Sequence, residues 1–267
     1  MTALSSYSNF FLASLCAEDR QLVEPQLKPM EFAAGHVFYT AREPSKNVYF
    51  PYSGLVSLNV GFATGQFTEA GMVGRNSVIG AGAALDGTAA AVQAIGQAGG
   101  CGSVIRTAAL RNLTAASKSL GRMIARHEHM ATAQAQQVAA CNAVHGLEQR
   151  LSRCLLQARD LLESDDLRLT QEILSQMLGV QRTSVTVVAQ RLQDARIIDY
   201  QRGVIHVLNV DALQNTACEC YEAINDHYLR LTGWIAPVNK GRGNNPSGGL
   251  DHSMPPLKAA LRSDAPC

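Results

Sequence analysis

Arg182, with Gln181, Thr183, Thr186 and Gln190 around it, forms a set of side chains suited to reading the edges of base pairs. A guanidinium can donate twice to guanine O6 and N7, a glutamine amide can pair with adenine, and the methyl groups of Thr183, Thr186 or Val187 can touch the methyl of thymine. Thr170, Gln171 and Ser184 suit phosphate oxygens instead, through hydroxyl, amide or helix-end N–H groups. Arg202 is placed to hold a flanking phosphate. Most of these residues stand in one stretch, Gln171–Gln190, QEILSQMLGVQRTSVTVVAQ. It reads as a helix, a sharp glycine turn and a second helix whose start faces the bases, the spacing of a DNA-reading helix-turn-helix.

The remaining residues of that stretch are the ones needed to hold two short helices together. Leu174, Leu178, Val180, Val185 and Val188 are apolar at the positions where the helices must meet. Ser175 is small enough to let the second helix cross closely over the first. Gly179 falls where the chain must leave the first helix, a position that favours positive φ. Thr170 can cap the first helix. An αα-hairpin with no nucleic-acid role shares part of this pattern and stays open on these residues alone. After it, Ile197–Tyr200, the turn Gln201-Arg202-Gly203 and Val204–Val207 read as a β-hairpin, which makes the unit a winged domain. Leu147, Leu151, Leu155 and Leu162, with Cys154, mark an amphipathic helix leading into it, broken at Asp165-Asp166. A last helix is expected from about Val210 to Leu231.

Upstream, from about Arg20 to Arg106, the texture is β: short apolar runs such as His36–Tyr39, Val48–Phe50 and Leu55–Val60 alternate with glycine turns, the pattern of an antiparallel sandwich or roll. From Leu110 to about Glu163 there is no proline. Leu120, Ile124, His127, Ala131, Gln134, Val138, Cys141 and His145 alternate spacings of four and three, a polar heptad seam. Such a seam suits self-pairing with a second copy; packing on its own β domain is the alternative. The expected fold is therefore α+β: an antiparallel β-roll over residues 1–109, a central dimerisation helix over 110–145 paired through Leu120, Ile124, His127, Ala131, Gln134, Val138 and Cys141, and a winged helix-turn-helix over 146–235. The stretch 236–267, rich in Pro, Gly, Asn and Ser, reads as a disordered tail.

Composition excludes several classes. The net charge is +1, so nucleic-acid affinity must come from local placement; residues 167–210 hold five arginines against three acids. No uninterrupted apolar run approaches a membrane span, and the N-terminus lacks the basic start of a secretory signal, so a cytoplasmic protein without membrane contacts is expected. The seven cysteines include no Cys-x-x-Cys pair. Cys218 and Cys220, two apart on an expected helix, should face different ways, so neither a metal site nor a cofactor is expected. The β region offers no paired carboxylates, no Ser/His/Asp spacing and no phosphate-cradling GxxxxGK[ST] loop, which argues against an enzyme.

In this order of parts the chain resembles the cyclic-AMP receptor protein/Fnr family of bacterial transcription regulators. Phe32–Val60, FAAGHVFYTAREPSKNVYFPYSGLVSLNV, is similar to the family's opening strands, with Gly35 and Gly54 at its turn glycines; Leu169–Val207 is similar to its DNA-binding domain. The likeness covers about residues 15–215. It implies a homodimer on double-stranded DNA, with two recognition helices in successive major grooves, and it assigns Arg182 to about Leu192 as the recognition helix. The family's Arg–Glu–Arg base-reading trio falls on Arg182, Thr183 and Val187, so only the first arginine remains and the operator should differ. The family's cyclic-nucleotide pocket falls on Val78–Cys101, including Gly80, Ala81, Gly87, Thr88, Ala89 and Ala90. The expected Glu lands near Ala81 and the expected Arg near Ala89–Ala91. Asp86 is the one charged side chain between Asn76 and Ser103. No cyclic-AMP affinity is expected, and the effector stays unidentified. Iron–sulfur members carry clustered N-terminal cysteines, where this chain has Cys16; His36, His127 and Cys101 offer no recognisable haem context. The function implied is a sequence-specific transcription regulator, with the transcription machinery and a small-molecule effector as further partners. A cytoplasmic sensor whose helix-turn-helix contacts protein is the alternative.

Overall fold

Seven short strands between Lys28 and Arg106 build the N-terminal unit: β1 (Lys28–Phe32), β2 (Val37–Tyr39), β3 (Asn47–Pro51), β4 (Leu55–Gly61), β5 (Phe67–Val73), β6 (Gln93–Ala98) and β7 (Gly100–Arg106). They form two antiparallel sheets, ordered β1-β7-β3 and β2-β6-β4-β5. This is the expected roll, and its inner faces carry Phe32, Phe38, Val48, Phe50, Val56 and Val73, all buried. The computed structural model describes residues 8–237, so all but the first two residues of the expected tail lie outside the described residues. Short helices α1 (Phe10–Ala13) and α2 (Ala17–Val23) precede the roll, and α3 (Ala83–Asp86) interrupts it. Phe11 and Leu12 of α1 are buried against Val48, Phe50 and Ile105.

The central region differs from the single helix expected. It is two helices, α4 (Thr107–Ala116) and α5 (Lys118–Val144), parted at Ser117. No proline or glycine is needed for this break. Ser117 takes an extended conformation, and its hydroxyl accepts the Leu120 N–H at 3.2 Å, capping α5.

The seam of α5 also faces another way than expected. Leu120, Ile124, His127, Gln134, Val138 and Cys141 are buried within the subunit, and Ala131 is half-buried. Leu120 and Ile124 pack in the roll's core with Phe11 and Phe50. The His127 ring meets the Phe11 ring edge-on, and its Nδ1 stands 3.0 Å from Ser77 Oγ. Gln134 lies over Gly71 of β5. Further along, Met130 and Val138 pack against Ile224, Tyr228 and Trp234. The periodicity reports a covered face, and the cover is the chain itself: six of the seven residues are buried in the subunit, and Ala131 alone is partly open.

Beyond α5 come α6 (Leu147–Leu162), β8 (Asp166–Leu167), α7 (Gln171–Leu178), α8 (Arg182–Asp194), the hairpin β9 (Ile198–Gln201) and β10 (Val204–Val207), then α9 (Val210–Thr216) and α10 (Cys220–Thr232). The expected last helix is thus split at residues 217–219. β8 adds a third strand to the wing, in the order β8-β10-β9. Leu151, Leu155, Leu174, Leu178, Val185, Val188, Leu192 and Ile205 form the core of this C-terminal unit, and Leu55 and Met72 of the roll belong to the same cluster. The two units therefore share one apolar interior. α10 lies along α5 and covers the later part of its seam, around Met130 and Val138.

Candidate nucleic-acid interface

The turn between α7 and α8 is built by local chemistry. The Thr170 hydroxyl accepts the Ile173 N–H at 3.2 Å, starting α7. Gly179 ends it at φ +64, where an L side chain is strained. Arg150, buried on α6, donates to the Leu178 carbonyl and so satisfies the end of α7 from outside. Val185, Val188 and Leu192 turn inward on α8. Its other face is left to water: Gln181, Arg182, Thr183, Thr186, Val187 and Gln190 are exposed, with Ser184 half-buried beside them.

These groups are partly organised already. The side-chain oxygen of Gln171 accepts from Thr186 Oγ1 at 2.8 Å and lies 3.5 Å from Arg182 Nε. That arrangement engages the guanidinium through Nε; the two Nη groups are the pair that a guanine edge would take. Gln190 Nε2 donates to Asp194 Oδ1 at 2.8 Å, one turn further along. Thr170 is exposed and Gln171 half-buried at the start of α7, beside the same face. Arg191 lies 3.9 Å from Glu148 on α6, an intradomain pair on another side.

At the wing tip, Arg202 and Gly203 have φ +50 and +80, the two positive values of a tight type I′ hairpin. Asparagine or glycine would hold the first position more easily; an arginine there costs about 1–2 kcal/mol of backbone strain and places a cation on the tip. The nine residues expected to meet DNA, Thr170, Gln171, Gln181, Arg182, Thr183, Ser184, Thr186, Gln190 and Arg202, thus lie at the start of α7, at the turn and along the outer side of α8, and at the wing tip.

A contact invisible in the sequence frames this face. The tip of the β4–β5 hairpin leans on the helix-turn-helix: Gly65, Gln66, Phe67 and Thr68 form one wall of a cleft of about 570 Å³, and Gln176, Gly179, Val180, Gln181 and Arg182 help form the other.

The residues expected to line an effector pocket lie in differing surroundings. Ala81 is fully buried among apolar side chains, and Gly80 backs onto Ser45 and Asn47. Gly87 is half-buried at the end of α3. Thr88 folds back on Asp86, its N–H and hydroxyl donating at 2.9 and 2.7 Å. Ala89 is exposed, and the Ala90 carbonyl accepts the Arg42 N–H. The loop has no cation of its own, but one reaches it from outside: Arg111 of α4 donates to the Ala83 carbonyl at 2.8 Å and lies beside Gly87. The Gly82 N–H donates to the Glu128 carboxylate of α5 at 2.9 Å. Burial raises the Glu128 pKa above the ordinary carboxylate value, more than the Gly82 bond lowers it.

A winged helix-turn-helix carried on an antiparallel roll is the class that this fold and face define. Residues 149–216 match the Crp-like helix-turn-helix domain. The fold is similar to that of FixK2 from Bradyrhizobium japonicum, at 14% identity over 72% of this chain and 98% of that one, with a TM-score of 0.62. It is also similar to TTHA1359, a CRP/FNR-family transcriptional regulator from Thermus thermophilus, at 22% identity, 71% and 98% coverage and a TM-score of 0.60. TTHB099, a CRP-family transcriptional regulator from the same organism, gives 20% identity, 70% and 96% coverage and a TM-score of 0.58. None of the curated protein sequences compared with this chain matches it significantly. The chain has the fold of the Crp/Fnr regulators and carries a Crp-like helix-turn-helix domain.

Proposed function

We propose that this chain is a sequence-specific DNA-binding transcription regulator, without enzymatic activity, that works in the cytoplasm as a homodimer. The observation that carries the reading is the outward face of α8, where Arg182 is exposed and steadied by Gln171. Arg182 contacts guanine; Gln181 and Gln190 offer amides to adenine; Thr183 and Thr186 offer methyl groups to thymine. Thr170, Gln171, Ser184 and Arg202 hold phosphates on either side. The effector, where one acts, is not cyclic AMP: the positions of the family's ligand Glu and Arg fall near Ala81 and Ala89–Ala91, and although Arg111 stands beside Gly87, Glu128 already takes the Gly82 N–H.

The homodimer needs a face of α5 other than the buried seam. Ala125, His129, Thr132, Gln136, Ala139 and Ala143 are exposed and repeat at alternating four and three. A second copy pairs along this stripe, whose small residues allow close approach of two helices.

Salt dependence tests the reading against a helix-turn-helix that serves protein contacts. Fluorescence anisotropy of a labelled duplex is measured while salt is raised. DNA binding through about six or more phosphates loses about a thousandfold or more in affinity between roughly 50 and 200 mM salt. Undetectable duplex binding at low salt would overturn it.

A further inference from the structure

Three cysteines and a histidine meet where α5 ends. Cys141 and His145 are one helical turn apart, so they share a face. Cys218 lies in the segment between α9 and α10, and Cys220 opens α10. Because the expected helix is split there, Cys218 and Cys220 do not point apart as a continuous helix would require. Both turn toward Cys141. The four donor atoms all lie within 4.8 Å of one another.

We propose that Cys141, His145, Cys218 and Cys220 form a mononuclear zinc site that fastens the end of the central helix to the start of α10. The distances suit one ion. Cys141 Sγ stands 3.5 Å from Cys218 Sγ, and Cys220 Sγ 3.6 Å from His145 Nδ1. A tetrahedral zinc with Zn–S of about 2.3 Å and Zn–N of about 2.0 Å sets neighbouring donors about 3.5–3.8 Å apart. The same closeness leaves no room for a polynuclear iron–sulfur core between the sulfurs.

The surroundings are those of a metal ligand set. With Nδ1 turned to the sulfurs, His145 Nε2 lies 3.1 Å from the Glu219 carboxylate, an orientation that fixes the ring and its tautomer. Gln137 Nε2 donates to Cys220 Sγ at 3.1 Å, as an outer-shell amide does to a thiolate. Cys141, Cys218 and Cys220 are buried, so exchange with bulk solvent is restricted. On binding, each of the three thiols gives its proton to solvent and its sulfur lone pair to the ion, and His145 binds neutral. The loaded site carries one net negative charge, and Arg150 and Arg153 of α6 lie within electrostatic reach of Cys141 and Cys218. His145 is the last residue before Gly146 opens α6. An ion here therefore fixes the joint between central helix and winged domain.

The test uses the reduced full-length chain, metal-stripped and kept from air. Zinc uptake by elemental analysis should reach about one ion per chain, and that ion should protect about three thiols from a thiol reagent. Cobalt(II) in its place should give thiolate-to-cobalt charge-transfer absorption with the strong visible bands of tetrahedral geometry. Zinc should raise the melting temperature, because the unfolded chain has no assembled site. Cys218→Ser and the half-exposed His145→Ala should abolish or loosen uptake, while Cys101→Ser, outside the cluster, should leave it unchanged; circular dichroism confirms that each variant is folded. No uptake by the reduced wild-type chain, uptake unchanged by both site variants, or octahedral cobalt spectra would overturn the proposal. So would recovery of a Cys141–Cys218 disulfide in a chain that takes up no metal once reduced.

Discussion

Gly179 and Arg182 stand three residues apart and depend on each other. The left-handed residue turns the chain so that α8 starts with its first side chains outside. Gly179→Ala keeps the helices but forces a Cβ into positive φ, with Thr68 only 3.1 Å from where that atom would lie. We expect a loss of about 1–2 kcal/mol in denaturant unfolding. An unchanged midpoint would mean that the turn takes another form in solution. These residues were legible in the sequence because the cap, the turn and the apolar positions lie within some twenty consecutive residues, where local rules act. Arg150 was not. Its donation to Leu178 joins residues 28 apart, and nothing in the spacing of α6 announces it.

At the scale of the element, α5 shows what periodicity can and cannot say. Alternation at four and three told correctly that Leu120 to Cys141 share a covered face. It could not tell whether a twin or the chain itself does the covering. The polar members, His127 and Gln134, pointed toward a partner, yet they are met by Ser77 and by the backbone at Gly71. The break at Ser117 was hidden for a similar reason: its signal is a cap, and a serine inside a proline-free stretch does not stand out. Two substitutions separate the faces of α5. Ile124→Ala should destabilise the subunit by about 2–5 kcal/mol, as removal of a fully buried aliphatic side chain does. Ala139→Arg, on the exposed stripe, should leave unfolding nearly unchanged and shift sedimentation from dimer to monomer. A dimer that survives Ala139→Arg would place the contact elsewhere.

For the molecule as a whole, the shared interior of roll and winged unit is the deciding feature. Glu69 of β5 is buried at that junction and accepts from Ser57 Oγ at 2.5 Å, with the Arg153 guanidinium in electrostatic range. Burial raises its pKa from 4.5 to about 7, more than Ser57 and Arg153 lower it. A carboxyl raised on folding contributes its full stability below about pH 4.5. It loses that contribution as pH climbs through about 7, because the unfolded chain gives up the proton first. The loss is of the order of 3 kcal/mol across that window. Glu69→Gln keeps an acceptor for Ser57 and should flatten this part of the stability–pH curve; equal slopes for both chains would show that Glu69 does not govern it. The joining of the two units escaped the sequence reading because Leu55 and Met72 look like ordinary roll residues, and only the folded chain shows them inside the winged domain's core.

The outward face of α8 as a reader of bases is tested most directly by selecting bound duplexes from a random pool with the wild-type chain and with Arg182→Ala. The wild type should enrich an inverted repeat whose half-sites lie about 10–10.5 base pairs apart, with a guanine in each half. Arg182→Ala should lose preference at that guanine alone, weakening binding to the selected site by about 1–3 kcal/mol. A pool that stays random with the wild type, or one that yields the same motif with the same preference from both chains, would contradict the assignment.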